Sequence, residues 1–490
     1  MLRREECISE ISYIPRKVDL CVVGAGSAAL STAIAARELG VDVLLIEKAP
    51  KEEVGGDLRY CGIIRAVTPE YSEEDFFGDL MRLSRNLANK ELIRIMVNKS
   101  KEMIDWLTNM GLKWQSRTPV LYRPEGGCYM MLVKMLSFAK KQGIKIVYET
   151  KATELLIDDF GNVNGLKIQK KGDKFRDINC KAAVLACGGF SANPEMICKY
   201  IDRYADTMIV RGSKYNTGEG IVMADKIGAK VAFMGEFHGA PEHRDAPRTD
   251  GGGCTIQPYT MGVWINLNGR RFLDEGKETY VKVGKSIFAQ PGNTAYLLFD
   301  ETIKNRKFKD SHGVERETIA DRLKVEHIDP DLPEDLLKLS KNKRSLGDVY
   351  YKADTIIDLA EMIGIPPLNL KQTIEEYNDN IQEKEGLVGT PCVPNIFPPK
   401  SGWAYPIKEP PYYAYPAVCG ITLTFGGMVI SDKGEVVNKE GNIIPNLYAV
   451  GALTSGFFYY DYEGGSALTR NVVFGRITGK NAAEHIKNEH

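Results

Sequence analysis

The length, composition and charge of this 490-residue chain exclude several classes of protein. Hydrophobic residues make up 43% of the chain and charged residues 26%, which is the balance of a globular protein, and the length is enough for more than one domain. The 64 basic and 65 acidic residues give a net charge of −1, which disfavours nucleic-acid binding, and no apolar run is long enough to predict a membrane span.

The ten cysteines are scattered along the chain without any CxxC pair. This spacing disfavours a zinc site, an iron–sulfur cluster and a disulfide framework, so we expect reduced thiols, no metal and a cytoplasmic location. The polar leader, residues 1–16, lacks the apolar core of a secretory signal, which agrees with that location.

A strand, a helix and a second strand are predicted directly after the leader. Residues 18–23 (VDLCVV) are short and apolar, as in a buried parallel strand. A helical stretch follows and ends at Gly40, and VDVLLIEK then forms a second strand that ends at Glu47. This βαβ unit begins a domain that we place at residues 17–244.

The turn between the first strand and the helix has the pattern GxGxxA. Gly24 permits a tight turn, Gly26 lets backbone N–H groups approach a pyrophosphate, and Ala29 lets the helix pack closely on the strand. Glu47 ends the second strand, where a carboxylate accepts hydrogen bonds from a ribose diol and disfavours a 2′-phosphate. We therefore predict that a dinucleotide is bound by Gly24, Gly26, Ser27, Ala28, Ala29, Glu47 and Lys48.

Further glycine clusters favour a flavin over a nicotinamide dinucleotide. One βαβ unit is sufficient for NAD, whereas FAD also needs backbone groups around its isoalloxazine ring. Such clusters lie in VGGDLRY, in ACGGF and in the EGGSAL turn before the C-terminal helix. We predict further cofactor contacts at Gly55, Gly56, Asp57, Ala186, Gly188, Gly189, Ser466, Ala467 and Leu468.

The segment 245–404 differs in composition from the chain on either side of it. Lys-rich helical stretches appear in it, and prolines mark its exit at PCVPNIFPPKSGW. Apolar strands and glycines return after residue 405. We therefore predict an α/β fold with a discontinuous, doubly wound FAD-binding (Rossmann-like) domain at 17–244 and 405–490, and an inserted α+β capping domain at 245–404.

These segments together resemble the flavoprotein subunits of the fumarate reductase and succinate dehydrogenase family, in its soluble branch. The matching segments are GAGSAAL with Glu47, VGGDLRY, VLACGGF, NTGEGIVMA, NLNGRRFLDEG, TLTFGGMVI, NLYAVGA and GGSALTRNVVFGRITGKNAA. The resemblance implies a FAD-dependent oxidoreductase of CH–CH bonds with a mobile cap and an unidentified electron donor or acceptor. It also implies cofactor contacts at Thr217, Gly218, Gly451 and Ala452. No histidine stands in the VGGDLRY loop, where some relatives attach their flavin, so the resemblance implies non-covalent FAD.

Three positions depart from the pattern of the fumarate reducers. Leu423 stands where they carry a histidine, and Tyr462 stands where they carry an arginine that clamps a substrate carboxylate. The segment ETYVKVGKS, which contains Tyr280, lacks their catalytic arginine. An apolar residue and a phenol suit a neutral ketone, because a phenol can donate a hydrogen bond to a carbonyl oxygen as it gains enolate charge.

The TLTFGG and YEGGSAL segments resemble the 3-ketosteroid Δ4-dehydrogenases and related cyclic-ketone desaturases, although Gly464 stands where the steroid enzymes have a serine. We therefore predict desaturation or reduction of a C–C bond α,β to the carbonyl of a 3-ketosteroid or another cyclic ketone or enone. The predicted catalytic residues are Tyr462 and Tyr280. The predicted substrate contacts are Leu423, Thr424, Tyr462, Gly465 and Arg271.

Two other classes stay open at this point. The stretch from GVWINLNGRRF to TYVKVG and QPG is similar to the tricarballylate dehydrogenase branch. A di- or tricarboxylate substrate would need cationic clamps, for which Lys282, Arg271 and Arg470 are available. A flavin-binding or electron-transfer protein without catalysis is the third class, and the cap and the tyrosines argue against it.

Overall fold

The structure, a computed structural model, describes residues 14–117, 120–249, 255–256, 258–309, 315–316, 318–319 and 350–488. Most of the predicted leader, 1–16, lies outside these residues. The chain forms two compact units: the first comprises Met1–Asp206, Gly212–His238 and Leu423–His490, and the second comprises Thr207–Arg211 and Gly239–Thr422. Within the described ranges, none of the helices has the length and apolar character needed to cross a membrane.

The strands and helices of the described residues are numbered in chain order. The first strands are β1 (Lys17–Val23), β2 (Val43–Ile46), β3 (Ile64–Arg65), β4 (Trp114–Arg117), β5 (Leu121–Pro124), β6 (Lys145–Val147), β7 (Thr150–Ile157), β8 (Val163–Lys170), β9 (Phe175–Leu185), β10 (Ile209–Val210) and β11 (Val231–Ala232). The later strands are β12 (Phe237–His243), β13 (Val263–Ile265), β14 (Thr294–Asp300), β15 (Phe308–Lys309), β16 (Glu315–Arg316), β17 (Tyr351–Ala353), β18 (Tyr412–Thr424), β19 (Gly427–Met428), β20 (Glu435–Val437) and β21 (Ile443–Ala449). The helices are α1 (Ser27–Glu38), α2 (Glu73–Leu83), α3 (Lys90–Asn98), α4 (Ser100–Asn109), α5 (Gly127–Lys141), α6 (Pro194–Tyr200), α7 (Glu219–Lys226), α8 (Tyr280–Phe288), α9 (Glu301–Lys304), α10 (Ile356–Ile363), α11 (Pro367–Asp379) and α12 (Ser466–Asn488).

A parallel sheet forms the centre of the first unit. Its strand order is β20-β21-β9-β1-β2-β6, and only β20 runs antiparallel to its neighbour among these strands. The strand β2 is buried along its whole length and β1 along most of it, because Val, Leu and Ile dominate their sequences. The predicted α/β architecture, with a parallel nucleotide-binding type of sheet in a discontinuous unit, is confirmed.

The first and last helices of this unit pack closely because two glycines of α12 present no side chain. A Cβ at Gly475 would lie 2.6 Å from the Cβ of Ser31, and a Cβ at Gly479 would lie 2.3 Å from the carbonyl oxygen of Thr32. Ser31 and Thr32 belong to the part of α1 that is fully buried. This contact holds the middle of α12 against α1.

The second unit is built on a sheet of order β10-β18-β14-β13, with β12 and β17 also paired to β18. Its core contains large aromatic side chains such as Trp264, Phe299 and Tyr377. The longer segment of the second unit runs from Gly239 to Thr422, whereas the sequence predicts limits at 245 and 404. The difference arises because most of β12 and most of β18 belong to this sheet, and the apolar sequence of β18 resembles the strands of the first unit.

Candidate active site

Four loops leave the parallel sheet of the first unit at one edge. The strand register places Val23 opposite both Ile46 and Leu185, and Leu185 opposite Ala449. These four residues are the last of their strands. Ligands of open α/β sheets bind outside the carboxyl ends of the strands, so this edge is the candidate site. The loops contain the predicted residues Gly24 to Ala29, Glu47 and Lys48, Ala186 to Gly189, and Gly451 and Ala452.

The loop after β1 is compact because its glycines carry no side chain. Gly24 has a φ of 112°, and a Cβ there would lie 2.5 Å from the carbonyl oxygen of Ala186. Gly26 precedes α1 and gives no side-chain cap, and no acidic residue stands in the first turn of the helix. The first N–H groups of α1 have no acceptor within the helix, and a helix start of this kind favours the binding of an anion. The Ser27 hydroxyl in this turn accepts a 3.0 Å hydrogen bond from the side-chain amide of Asn471 in α12.

Glu47 follows β2 and is only 8% exposed. Burial raises the pKa of its carboxyl group, although hydrogen bonds from the N–H groups of Ala49 and Ala25 and the charge of Lys48 oppose the rise. One carboxylate oxygen accepts the Ala49 N–H at 2.7 Å. An ionised carboxylate has acceptor sites for several donors, so Glu47 retains the capacity to receive two hydroxyl groups.

Lys48 and Thr217, both predicted to bind a cofactor, meet at the start of α7. The Lys48 ammonium group donates to the Thr217 hydroxyl and lies 2.9 Å from the carboxylate of Glu219. Burial opposes ionisation of Glu219, but Lys48 and Thr217 outweigh it and lower the pKa of this carboxyl group to about 2. Lys48 therefore already has an anionic partner, and it ties α7, which begins after Gly218, to the end of β2.

The second glycine-rich loop brings Asp57 against the segment that precedes α7. Gly55 has a φ of 117°, and Gly56 opens a short 3₁₀ turn, Gly56–Tyr60. The Asp57 carboxylate accepts the backbone N–H of Ser213 at 2.7 Å and the side-chain amide of Asn216 at 2.8 Å. Burial nevertheless raises the pKa of Asp57 to about 6. Asp57 thus positions two loops of the candidate site relative to each other.

The glycine pair after β9 makes room for two polar side chains. A Cβ at Gly188 would lie 2.2 Å from the side-chain oxygen of Asn216, and a Cβ at Gly189 would lie 2.3 Å from the hydroxyl of Thr424. Thr424 is fully buried, and its hydroxyl accepts the N–H of Phe190 at 3.4 Å. These contacts do not support the prediction that Thr424 contacts substrate, because its hydroxyl faces the backbone of the glycine turn. Leu423 precedes it and is 7% exposed.

The phenol of Tyr462 lies against the N-terminus of α12. Its oxygen accepts the backbone N–H of Gly465 at 3.0 Å. Burial raises the pKa of Tyr462 to about 12, and the neighbouring backbone N–H groups only partly oppose this rise. The ring is held edge-on by His238 at 5.0 Å and Phe458 at 5.1 Å between ring centres, and Phe425 lies 6.2 Å away. The predicted catalytic tyrosine therefore sits among aromatic rings, and the charge of Arg470 acts on its phenol as well.

The turn before α12 is anchored by Arg65 at the end of β3. The guanidinium of Arg65 lies 2.9 Å from the Glu463 carboxylate and donates to the carbonyl oxygen of Gly464 at 3.0 Å. Gly465 has a φ of 88°, and a Cβ there would lie 2.8 Å from the backbone nitrogen of Arg65. Gly465 is thus required by the backbone of the turn, and the predicted cofactor residues Ser466, Ala467 and Leu468 follow as the first turn of α12.

In the second unit, the Arg271 guanidinium is enclosed by protein groups. It lies 2.6 Å from the Glu275 carboxylate and donates to the carbonyl oxygens of Pro398 and Pro399 at 2.8 and 3.0 Å. Arg271 is 7% exposed and Glu275 is fully buried. These contacts do not support the prediction that Arg271 contacts substrate, since its donors are directed to the interior of the unit.

We expect Arg271→Met to lower the free energy of unfolding by about 3–5 kcal/mol, because the Glu275 charge would stay buried without its partner. Urea denaturation followed by circular dichroism measures the change. The matched control is Lys371→Met, which removes an exposed ion pair with Glu375 and should have little effect. Equal stabilities of the two variants would refute the structural role assigned to Arg271.

Tyr280 begins α8, where Thr279 caps the helix by accepting the N–H of Lys282. Its ring is partly exposed and its centre lies 6.5 Å from that of Tyr259. These facts place the residue in the second unit without assigning it a proton-transfer role, so its function as the second acid or base stays a prediction.

Sequence reasoning missed several polar residues that order the candidate site. Asn216 donates a hydrogen bond to Asp57, Arg65 anchors the turn before α12, and Asn471 donates a hydrogen bond to Ser27. The only sequence signal for them was proximity: Asn216 stands beside Thr217 in NTGEG, and Asn471 follows GGSALTR. Their partners lie far away in the chain, so the pairings could not be read from spacing.

Comparison with known proteins gives one family and several related enzymes. The FAD binding domain family model matches residues 19–468. The chain is 28% identical to the fumarate reductase (cytochrome) of Shewanella frigidimarina, over 96% of this chain and 78% of that protein. The open conformation of a flavocytochrome c3 fumarate reductase has a TM-score of 0.73 at 26% identity, covering 96% of this chain and 79% of that one. The 3-ketosteroid-Δ4-(5α)-dehydrogenase of Rhodococcus jostii RHA1 has a TM-score of 0.72 at 23% identity, with 96% and 98% covered, which shows a shared fold.

Proposed function

We propose that this chain, which belongs to the FAD binding domain family and is related to the fumarate reductase flavoproteins, acts on a neutral cyclic ketone or enone, such as a 3-ketosteroid. The protein is a FAD-dependent oxidoreductase that acts on carbon–carbon bonds. The proposed reaction is desaturation or reduction of the bond α,β to the carbonyl group. The observation that carries the substrate class is the neutral phenol of Tyr462, bonded to the N-terminus of α12 in an aromatic setting.

The residues at the sheet edge fit FAD. Gly24 leaves no room for a side chain at the turn, and Glu47 supplies a buried carboxylate at the end of β2. The Ser466 hydroxyl, buried in the first turn of α12, has no hydrogen-bond partner among the described residues and is thus available to a ligand. Bound there, FAD would accept or deliver the hydride of the reaction. We propose that the pyrophosphate lies at Gly24 to Ala29, the ribose at Glu47, and the flavin side at Gly55 to Asp57, Gly188, Gly189 and Ser466 to Leu468.

We further propose that FAD is held without a covalent bond. The described segment 54–63 contains no histidine to attach the ring. Its cysteine, Cys61, donates a hydrogen bond from its thiol to the carbonyl oxygen of Asp57 at 3.2 Å.

Glu47→Ala should weaken the retention of FAD. The ribose diol would lose a charged acceptor worth roughly 1.5–3 kcal/mol, which is about a tenfold to hundredfold rise in Kd. Quenching of flavin fluorescence on titrating the apoprotein measures this constant. Glu52→Ala is the matched control, because Glu52 is exposed on the following turn. An unchanged Kd for Glu47→Ala would contradict the ribose assignment.

The raised pKa of Tyr462, about 12, determines whether its phenol can act as a proton donor or as a base. The phenol is neutral near pH 7, so it serves as a hydrogen-bond or proton donor and cannot act directly as a base there. Its oxygen receives the Gly465 N–H, which leaves its own O–H to donate. We propose that this proton is donated to the substrate carbonyl oxygen or, in the reductive direction, is transferred to the α carbon.

Of the three cations predicted to be available for a carboxylate substrate, two pair with glutamates and the third is buried. Arg271 pairs with Glu275, and the Lys282 ammonium group bonds Glu278 one turn away in sequence. Arg470 is 1% exposed, so it presents no surface to a substrate. A carboxylate beside Leu423 and the Tyr462 phenol would lack the charge-assisted hydrogen bonds that bind carboxylates tightly.

Equilibrium binding to the oxidised protein tests the proposed substrate class. A 3-ketosteroid or cyclic ketone should perturb the flavin absorption spectrum at micromolar to millimolar concentration, whereas fumarate and tricarballylate should not at the same concentrations. Saturable perturbation by a carboxylate, with no response to any cyclic ketone, would replace the ketone proposal with the carboxylate alternative.

A further inference from the structure

A buried cation without a carboxylate partner lies one turn inside α12. Arg470 is 1% exposed, and no carboxylate of the described residues forms an ion pair with it. Its Nε and Nη2 atoms donate to the side-chain oxygen of Asn471 at 3.1 and 3.0 Å. Its Nη1 atom is buried and has no hydrogen-bond partner in the described part of the chain. The other buried arginines of this kind, Arg65 and Arg271, each lie within 3 Å of a glutamate.

The surroundings of Arg470 join the two ends of the proposed FAD site. On one side, Asn471 donates to the Ser27 hydroxyl in the first turn of α1, at the proposed pyrophosphate position. On the other side, the guanidinium lies 5.2 Å from the centre of the Phe458 ring, which itself packs 5.1 Å from the ring of Tyr462. Burial lowers the pKa of Arg470 to about 10, and the electrostatic influence of the nearby Tyr462 and Asp57 opposes this change. The group therefore remains cationic at neutral pH.

A buried charge of this kind is costly unless an opposite charge accompanies it. FAD offers two such charges: its pyrophosphate, and the flavin ring, which gains one negative charge when it takes up two electrons and one proton. In the proposed site the N-terminus of α1 serves the pyrophosphate, and the Asn471 side chain links the guanidinium to Ser27 at that position. The side of the Arg470 guanidinium that faces Phe458 and Tyr462 is directed toward the proposed flavin and substrate positions.

We propose that Arg470 stabilises the negative charge of the reduced flavin ring and thereby raises the redox potential of bound FAD. Because Arg470 is covered by protein, its charge acts on the flavin through the low-dielectric interior and not by direct contact. It is therefore not a catalytic residue. The inference rests on the FAD site of the proposed function, but it does not depend on the substrate class.

Redox titration of the FAD-loaded protein without substrate tests this proposal. Dithionite is the reductant, and a dye of known potential is the reference. Arg470→Gln keeps amide donors for Asn471 but removes the charge, so reduced FAD should lose at least tenfold in affinity relative to oxidised FAD. This ratio lowers the two-electron potential by about 30 mV. Arg470→Lys should restore most of the wild-type potential.

Arg476→Gln is the matched control, because Arg476 lies two turns further along α12 and pairs with Glu102 at 2.8 Å. Its potential should equal that of the wild type. If Arg470→Gln loses the same affinity for oxidised and for reduced FAD, the redox potential of the bound FAD stays unchanged. Arg470 would then serve the pyrophosphate, and the proposal would be overturned.

If Arg470→Gln does not fold, the wild-type protein still decides the question. The proposal requires the potential of its bound FAD to exceed that of free FAD under the same conditions, and an equal or lower potential would overturn it. A protein that binds no FAD would instead refute the proposed function. Inert ketones would refute only the substrate class, because the potential is measured without substrate.

Discussion

Tyr462→Phe is expected to lower the turnover of a cyclic enone by about a hundredfold or more, while FAD content stays unchanged. A lost proton donor or oxyanion contact usually has an effect of this size. The packing of the ring should survive, since phenylalanine keeps the ring that Phe458 and His238 meet edge-on at 5.1 and 5.0 Å between ring centres. The hydroxyl accepts the Gly465 N–H, and that backbone group lies at a helix terminus where water or cofactor can replace it.

Turnover and the ratio of flavin to protein absorbance are the two quantities to measure for this variant. Tyr204→Phe is a matched control, because Tyr204 is 52% exposed in the first unit. Full activity of Tyr462→Phe on a ketone would remove Tyr462 from the mechanism. A large loss of FAD in this variant would show that the phenol supports the cofactor and would leave its catalytic role without support.

Gly24→Ala should abolish the binding of FAD and destabilise the first unit. The φ of 112° disfavours any side chain, at a cost of about 1–2 kcal/mol, and the new methyl group would lie 2.5 Å from the carbonyl oxygen of Ala186. That oxygen belongs to the backbone, so it cannot turn aside. Relief requires movement of the loop after β1 or of the loop after β9, at a further cost of about 1–3 kcal/mol.

Gly40→Ala separates the two causes of this effect. Gly40 also has a positive φ, 85°, but a Cβ there would meet nothing within 4 Å. We expect Gly40→Ala to lower the melting temperature slightly and to keep FAD, whereas Gly24→Ala yields colourless protein with a lower melting temperature. A yellow, stable Gly24→Ala protein would disprove the close approach of these two loops.

The parallel sheet and its glycine-rich edge could be predicted because their signals are local. The strands β1 and β2 are continuous apolar runs, and the residues at their ends, Gly24 and Glu47, have types that only a few chemical tasks require. The order of β9 and β21 in the sheet was not local information. It follows from the register of Leu185 with Val23 and with Ala449, which joins segments far apart in the chain.

The roles of individual polar residues were harder to predict, because each depends on a distant partner. Asp57 receives its hydrogen bonds from Asn216, 159 residues away, and Thr424 faces the turn after β9. Arg271 was predicted from the sequence to contact substrate, but its guanidinium donates to the carbonyl oxygens of Pro398 and Pro399. Composition also failed to locate the ends of the second unit, since β18 is as apolar as the strands of the first unit.

Anaerobic mixing of the reduced, FAD-loaded protein with candidate acceptors tests the central claim most directly. The rate at which the yellow colour of oxidised flavin returns is recorded by stopped-flow absorbance, first with a 4-ene-3-ketosteroid and a simple cyclic enone, then with fumarate. We expect rapid, saturable reoxidation by an enone and none by fumarate, because Leu423 and Tyr462 give a carboxylate no charged partner. Rapid reoxidation by fumarate, with every cyclic enone inert, would contradict it.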